Sequence, residues 1–531
     1  MRQDAPTASV DDRPAGAAVG WRPPPDTWWL AGIAVVATAL AWAVSRHGIS
    51  PSPDGTLYLG TASNMANGRG ITVPFTTYTD HYRPIESIAF DGRVPLRQWP
   101  PLFPVVVGAF SWLGWSPGDV VRVLNPLLLG VNVALLGLLA RRLFRTSWLP
   151  LFGVLATIVV VRVPDVIVAP VLHLHSTSLA EPLFTLAVLA CLLALDRFLV
   201  TASVGWLCGA AVLAGAASAT KLLGLSAVAT VCLVALIAPG SFGRRAARTA
   251  VAATLGLLPV VATLLSSDRR AAPAAADEVR AALNGAVRGL GALFPGVVNS
   301  TVGGVVALVL LVGVVVGLSL IAWRIPDRRA DARRIVPLLV LAATMIGQLV
   351  DSVVFVDRFV SLVGRQMTLP LILLTTATLA TVSLVLQERH RVVVATVAAI
   401  ISIGVLSMQI PGIADVITTT PPPTRTIRAD YLPSDGALFS NAPDAVFLGT
   451  GRTSYMVPCR NDYFSGASNP TYDDELEELV GLVASGRASV LLAESGFGFG
   501  AECAGALDFV DRPEVEVTRV DDRLDLVRAA P

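Results

Sequence analysis

The feature that most constrains the fold is a series of long apolar segments spread along the first four fifths of the chain. A membrane-spanning segment of this kind is helical, because backbone polar groups in hydrocarbon must bond within their own helix, and about 20 mostly apolar residues are needed to cross about 30 Å of hydrocarbon. The mean hydropathy of +0.65 and the hydrophobic content of 53% suit a membrane protein better than a soluble one. Eleven segments meet the criterion, namely 27–45, 120–140, 148–168, 179–199, 203–219, 222–239, 249–266, 302–323, 335–353, 367–386 and 392–410. The sequence therefore predicts an all-α polytopic membrane domain with about 11 transmembrane helices.

The chain divides into four parts by composition. Residues 1–26 are rich in Pro, Ala and Asp and lack an apolar run, which predicts a disordered tail. The first apolar segment has no small-residue cleavage site after it, so we expect it to remain as a helix. The membrane domain covers 27–410 and contains a long first loop at 46–119. A Pro-rich linker at 411–424 leads to a separate domain at 425–531.

Arginine clusters predict the orientation of the membrane domain. Short cytoplasmic loops carry an excess of basic residues, and the basic runs at 141–145 and 324–334 fall on one side when the N-terminus is inside. This arrangement places the first loop and the C-terminal domain outside the cell, in a multi-pass protein of a bacterial plasma membrane. The segment 101–115 is too short for a comfortable span, and we expect a re-entrant or interfacial helix there on the outer face.

The C-terminal region has the pattern of a small soluble α/β domain. Short strands are predicted at 437–440, 446–448 and 489–493, and a helix is predicted from Tyr472 to Ser485. Residues 421–531 hold 9 Arg against 18 Asp plus Glu, a net charge of −9, whereas residues 1–420 carry +10. In an exported compartment we expect a disulfide between Cys459 and Cys503; two separate thiols are the alternative.

Four ionisable residues are expected on the outer rim of the membrane domain. Asp54 and Glu181 are acids beside apolar segments, Lys221 is the only lysine in the chain, and Arg365 begins the tenth segment. Each has an ordinary structural explanation. Asp54 can form an Asp-Gly turn and Glu181 can cap a helix, while Lys221 can snorkel and Arg365 can anchor its helix at the interface. Two acids and two bases on one rim nevertheless suit an anionic lipid-phosphate leaving group beside a general base.

Several motifs in the first half of the chain resemble one enzyme family. In order they are D-G-x-x-Y-L from Asp54, A-S-N-M-A-N-G-R-G-I from Ala62, W-P-P-L-F-P from Trp99, A-R-R-L-F from Ala140, S-L-A-E-P-L-F from Ser178 and G-A-A-S-A-T-K-L-L-G-L from Gly215. Their order and spacing resemble the membrane glycosyltransferases with the GT-C fold, and particularly family-39 enzymes such as protein O-mannosyltransferases and lipid A aminoarabinose transferases. The segment D-R-F-V-S-L-V-G-R-Q-M-T-L-P, which contains Arg365, resembles a late segment of the same family.

This resemblance implies a transferase that takes a sugar from a polyprenyl-phosphate carrier on the extracytoplasmic face. By the resemblance Asp54 is the catalytic base, and Tyr58, Glu181, Lys221 and Arg365 bind the substrate or the donor phosphate. The implied partners are the lipid-linked sugar, membrane lipid and an acceptor glycan, lipid or protein; no nucleic acid is expected.

The chemistry also follows from the residue types. A carboxylate such as Asp54 can accept the proton of an acceptor hydroxyl, and a cation can stabilise the departing phosphate. A site with a single base predicts displacement with inversion at the anomeric carbon. No cofactor is required, although a divalent metal held by Asp54, His173, His175 and Glu181 is an alternative. A transporter or flippase of a lipid-linked envelope precursor is the main alternative function, and a receptor or assembly role for the C-terminal domain is a third.

Overall fold

The structure is a computed structural model of the 531-residue chain. It describes the following parts of the sequence: 26–46, 53–76, 92–96, 99–144, 178–265, 329–355, 365–385, 427–433, 436–461, 468–493, 503–521 and 524–531.

Helices dominate the described part of the membrane domain. They are α1 (Asp26–Ser45), α2 (Pro53–Ala66), α3 (Leu102–Ser111), α4 (Pro117–Phe144), α5 (Glu181–Thr201), α6 (Val204–Thr220), α7 (Leu225–Ile237), α8 (Phe242–Leu265), α9 (Arg329–Phe355) and α10 (Arg365–Val385). Eight of the eleven predicted apolar segments coincide with these helices. The other three, at 148–168, 302–323 and 392–410, lie outside the described residues.

Four helical stretches in the described residues are long and apolar enough to cross a membrane. They are Trp28–Ser45, Pro117–Leu143, Glu181–Thr201 and Ala330–Leu349. Shorter apolar helical stretches occur at Leu102–Ser111, Val204–Thr220, Leu222–Ile237 and Thr368–Thr381. The ten residues of α3 extend only about 15 Å, against about 30 Å of hydrocarbon. The segment predicted as a short re-entrant or interfacial helix is therefore a short helix.

Small residues let the membrane helices approach closely. Helix α5 packs on α6 and α4, α1 packs on α4, and α8 packs on both α6 and α7. The buried face of α6 includes Ala210, Ala211, Ala214 and Ala217, each fully buried. Alanine exposes little side chain and allows two helix backbones to come together, as is usual between helices in lipid.

The predicted segments 203–219 and 222–239 are separated by a sharp break at Lys221. The backbone of Lys221 is extended, with φ −155° and ψ 133°, and a 3₁₀ turn at Leu222–Gly224 leads into α7. A Cβ at Gly224 would lie 2.4 Å from the carbonyl carbon of Ala217. Only glycine fits this turn, so the break that carries Lys221 is set by local sterics.

The first loop is partly helical, and one prediction there is wrong. Asp54 and Gly55 do not form a turn but lie in the first turn of α2, which begins at Pro53. Proline suits the first helical position because it has the right φ and its missing N–H needs no partner there. After α2, β1 (Thr72–Val73) pairs antiparallel with β2 (Val94–Pro95).

The C-terminal region contains a five-stranded mixed sheet with the strand order β4-β3-β5-β7-β6. Its elements are β3 (Ala437–Ser440), α11 (Pro443–Thr450), β4 (Tyr455–Met456), α12 (Tyr472–Ala484), β5 (Ala488–Ala493), α13 (Leu507–Val510), β6 (Val515–Asp521) and β7 (Leu524–Ala529). Strand β3 is parallel to β4 and β5, and β7 is antiparallel to β5 and β6.

The strand predicted at 446–448 is wrong, because this run lies in helix α11. Pro443 occupies the start of α11, and Gly451 follows its end in the left-handed conformation at φ 70°. These are the usual start and stop signals of a helix, and they outweigh three consecutive apolar residues. The strands predicted at 437–440 and 489–493 and the helix predicted from Tyr472 are confirmed.

The C-terminal domain docks on the first loop. Phe75 is fully buried, and its ring centroid lies 5.4 Å from that of Phe447 on α11. The Met456 amide donates to Thr76 Oγ1 at 2.6 Å, and the Thr76 amide donates to the Ser454 carbonyl oxygen at 3.2 Å. The sheet is thereby held to the segment that follows α2.

Candidate functional site

Helix α2 places Asp54 and Tyr58 one turn apart near its start. Asp54 is half-buried in the first turn, where the positive end of the helix dipole favours a carboxylate. Tyr58 is buried and meets the ring of Phe103 on α3 edge to face, with 5.3 Å between the centroids. Helix α3 thus fixes the side of α2 that carries Tyr58.

An apolar cluster connects α2 to the start of α5. Tyr58 and Phe103 share this cluster with Val121 of α4 and with Ala180, the residue immediately before Glu181. The cluster brings the Asp54 helix and the chain segment of Glu181 into one packed unit. That these two elements lie on the outer rim of the membrane domain stays a prediction.

Glu181 and Lys221 form a buried ion pair. Lys221 Nζ donates to Glu181 Oε1 at 2.7 Å, and the two side chains are only 16% and 9% exposed. Charges at such low exposure are costly to desolvate unless each has a partner. The pair joins the start of α5 to the break after α6.

Side-chain amides from neighbouring helices hold both ends of this pair in place. Asn132 Nδ2 on α4 donates to the Pro182 carbonyl oxygen at 2.9 Å, and Asn125 Nδ2 donates to that of Leu179 at 3.3 Å. Gln348 Nε2 on α9 donates to the Leu222 carbonyl oxygen at 2.9 Å, next to Lys221. Lone amides within apolar helices usually bond across helices, and this signal could have singled these residues out in the sequence.

The ammonium of Lys221 keeps hydrogen-bonding capacity. A lysine ammonium has three N–H donors. Among the residues that the structure describes, Lys221 Nζ donates only to Glu181. Two donors therefore remain for an anionic group, while Glu181 keeps the ammonium oriented.

A second buried ionic cluster lies toward the other end of α5. Asp196 accepts from Arg334 Nε at 2.6 Å and from Arg142 Nη1 at 3.4 Å, linking α5 to α9 and α4. Fifteen residues of helix, about 22 Å, separate Asp196 from Glu181. Asp196 was not predicted as a site residue, and its pairing ties three helices together far from Lys221.

Other predicted site residues lie outside the described part of the structure. These are His173 and His175, together with the side chain of Arg365, whose backbone begins α10. Within the described ranges, no group of three or more His, Cys, Asp or Glu residues could hold a metal ion. The predicted metal set of Asp54, Glu181 and the two histidines thus stays a prediction.

The C-terminal domain contains the expected disulfide. The sulfur atoms of Cys459 and Cys503 lie 1.98 Å apart, and the two residues also form an isolated antiparallel bridge. The link joins the end of the β4 segment to the segment before α13.

Comparison with known proteins gives distant structural similarities. No protein-family model matches the sequence, and no curated protein matches it. The crystal structure of ArnT from Cupriavidus metallidurans, bound to undecaprenyl phosphate, matches with 13% identity and a TM-score of 0.44, covering 94% of this chain and 98% of that one. An oligosaccharyltransferase from Archaeoglobus fulgidus, in complex with zinc and sulfate, matches with 12% identity and a TM-score of 0.46, covering 87% and 68%.

Both matched proteins are transferases of the kind that the sequence motifs resemble. At TM-scores below 0.5, neither match transfers a property to this chain.

Proposed function

We propose that this protein is a membrane glycosyltransferase that moves a sugar from a polyprenyl-phosphate donor to an acceptor hydroxyl. The observation that carries the proposal is the buried Glu181–Lys221 pair, whose acid directly follows Ala180 in the apolar cluster that packs on the helix of Asp54. An ionisable pair at the end of an apolar helix has a high desolvation cost and marks a functional site more often than a structural one.

Asp54 serves as the general base in this proposal. Its carboxylate accepts the acceptor's hydroxyl proton while the hydroxyl oxygen bonds to the anomeric carbon of the sugar. The bond between the anomeric carbon and the phosphate oxygen breaks at the same time, and the lipid phosphate leaves with the electron pair. A single displacement of this kind inverts the anomeric configuration.

Lys221 stabilises the phosphate as its negative charge grows. A cation placed where charge develops in the transition state accelerates the reaction by about 10²–10³-fold in comparable sites. Glu181 orients the ammonium through their hydrogen bond, Tyr58 forms an apolar wall next to Asp54, and Arg365 supplies a second cation from α10.

The proposed location is the extracytoplasmic face of a bacterial plasma membrane. The basic runs at 141–145 and 324–334 support this orientation, because positive charge collects in cytoplasmic loops. Lys221 and Glu181 then face outward, while Asp196 and its arginine partners lie toward the cytoplasm.

Proteoliposomes that contain the full chain can test this proposal directly. A polyprenyl-phosphate donor with a radiolabelled sugar is added with acceptor extracts, and both transfer and transbilayer movement of the donor are measured. Labelled product with inverted configuration by NMR supports the transferase. Movement of the intact donor across the bilayer without sugar transfer would contradict the transferase and indicate a flippase.

A further inference from the structure

A second site, unrelated to the ion pair, lies in the C-terminal domain where the parallel strands begin. A cavity of about 390 Å³ opens at the N-terminal ends of β3, β4 and β5. Its lining includes Gly436, Arg452, Thr453, Tyr455 and Arg487. The volume lies in the range of small-molecule sites, about 300–1,000 Å³. We call this cavity the arginine cleft.

The charges of the arginine cleft contrast with the rest of its domain. Residues 421–531 carry a net charge of −9, and four of the five other described arginines of this region pair with acids. These pairs are Arg428–Asp430, Arg460–Asp508, Arg512–Glu477 and Arg519–Asp525. Within the described residues, neither Arg452 nor Arg487 pairs with a carboxylate, and Arg452 donates to the carbonyl oxygen of Pro433. Two guanidinium groups with no carboxylate partner among the described residues thus share one cavity in an acidic domain.

A third arginine approaches the cleft from the first loop. A Cβ placed on Gly92 would lie 2.6 Å from Thr453 Oγ1 and 3.4 Å from Arg69 Nη1. Gly92 has φ 71°, so glycine is favoured there for its backbone as well as its size. The cleft wall at Thr453 and the guanidinium of Arg69 therefore both lie close to Gly92, at the junction between the first loop and the C-terminal domain.

We infer that the arginine cleft binds a carboxylate or phosphate group of a ligand. The planar guanidinium fork matches both groups with paired hydrogen bonds, and the Thr453 hydroxyl adds a further donor. Helix α2 separates Asp54 from this junction by twelve residues, about 18 Å. The cleft would therefore hold a part of the ligand remote from the reacting hydroxyl. The identification of this ligand as the acceptor rests on the proposed transferase function. The binding of an anionic group to the arginine cleft does not.

Binding measurements on the full chain in nanodiscs of neutral lipid test the inference without any transfer assay. The probes are trigalacturonic acid, inorganic phosphate and neutral maltotriose. We expect one of the two anions to bind, and its Kd to weaken at least about tenfold in Arg452→Gln/Arg487→Gln. Arg428→Gln/Arg512→Gln is the matched control, because it removes the same charge from arginines outside the cleft.

The outcomes separate the sources of the anionic group. Binding of trigalacturonic acid alone indicates an acidic glycan, and binding of phosphate indicates a phosphate group. Arg452→Lys/Arg487→Lys keeps the charge and controls for folding, and it should recover part of the affinity. Equal binding by wild type and Arg452→Gln/Arg487→Gln, or no anion bound more tightly than maltotriose, would overturn the inference.

Discussion

Glu181 and Lys221 stabilise the fold only as a pair. Each side chain is mostly buried, so removing one leaves an uncompensated charge in a poorly hydrated place. The order of the apolar segments predicts that both residues lie on one rim. Their direct contact across 40 residues was not predictable, because it depends on how α5 packs against the break after α6.

A double-mutant cycle tests this dependence. Glu181→Gln should lower the free energy of unfolding by about 3–5 kcal/mol, since the ammonium then lacks its counter-charge. The double variant Glu181→Gln/Lys221→Met should lose less free energy of unfolding than Glu181→Gln alone. The measurement is denaturant unfolding of the detergent-solubilised protein. Additive losses in the double variant would show that the two residues do not form a coupled pair.

Close helix contacts govern stability at the scale of elements. A Cβ on Gly130 of α4 would lie 2.1 Å from Thr38 Oγ1 and 2.7 Å from the Ala34 carbonyl oxygen on α1. A Cβ on Gly347 of α9 meets nothing within 4 Å. These two helical glycines offer a matched comparison.

We expect Gly130→Ala to destabilise the protein by about 1–3 kcal/mol, because the added methyl group forces α1 away from α4. Gly347→Ala should be neutral or stabilising by up to about 1 kcal/mol, because alanine favours the helix. Thermal unfolding of both variants measures the difference. A similar effect at the two positions would contradict the close contact of α1 and α4.

The long apolar segments were predicted correctly from the sequence, whereas helix α11, which is set by its start and stop residues, was missed. The apolar segments identified the described membrane helices, and the strand predicted at 489–493 corresponds to β5. The apolar run at 446–448 is too short to distinguish a helical from an alternating pattern. Pro443 and Gly451 set the bounds of the helix that contains it. Strand β6 was missed although it alternates apolar and polar residues from Val515, a signal that predicts a strand.

At the scale of the whole molecule, the C-terminal domain and the first loop form one unit. The contact could not be predicted, because Thr76 and Met456 are 380 residues apart. The domain covers Phe75, whose segment follows the helix of Asp54. Docking therefore links the sheet to the proposed catalytic helix.

Phe75→Ala should weaken this docking by about 3–5 kcal/mol, the usual effect of deleting a buried ring. Hydrogen exchange of the Met456 amide, which donates to Thr76, should then become faster. Leu507→Ala is the control, because Leu507 is 86% exposed. Unchanged exchange in Phe75→Ala would show that Phe75 does not hold the domain in place.

The central claim is that Asp54 removes the acceptor's proton, and the most direct measurement compares two aspartate substitutions in a sugar-transfer assay. Asp119 is the matched control, since it is also in the first turn of a helix but is exposed and bonds to Ser116 Oγ at 2.6 Å. With a polyprenyl-phosphate sugar donor, Asp54→Asn should lower kcat by about 10²–10⁴-fold while leaving donor binding unchanged. Asp119→Asn should retain nearly full activity. A kcat for Asp54→Asn equal to that of Asp119→Asn would contradict the account.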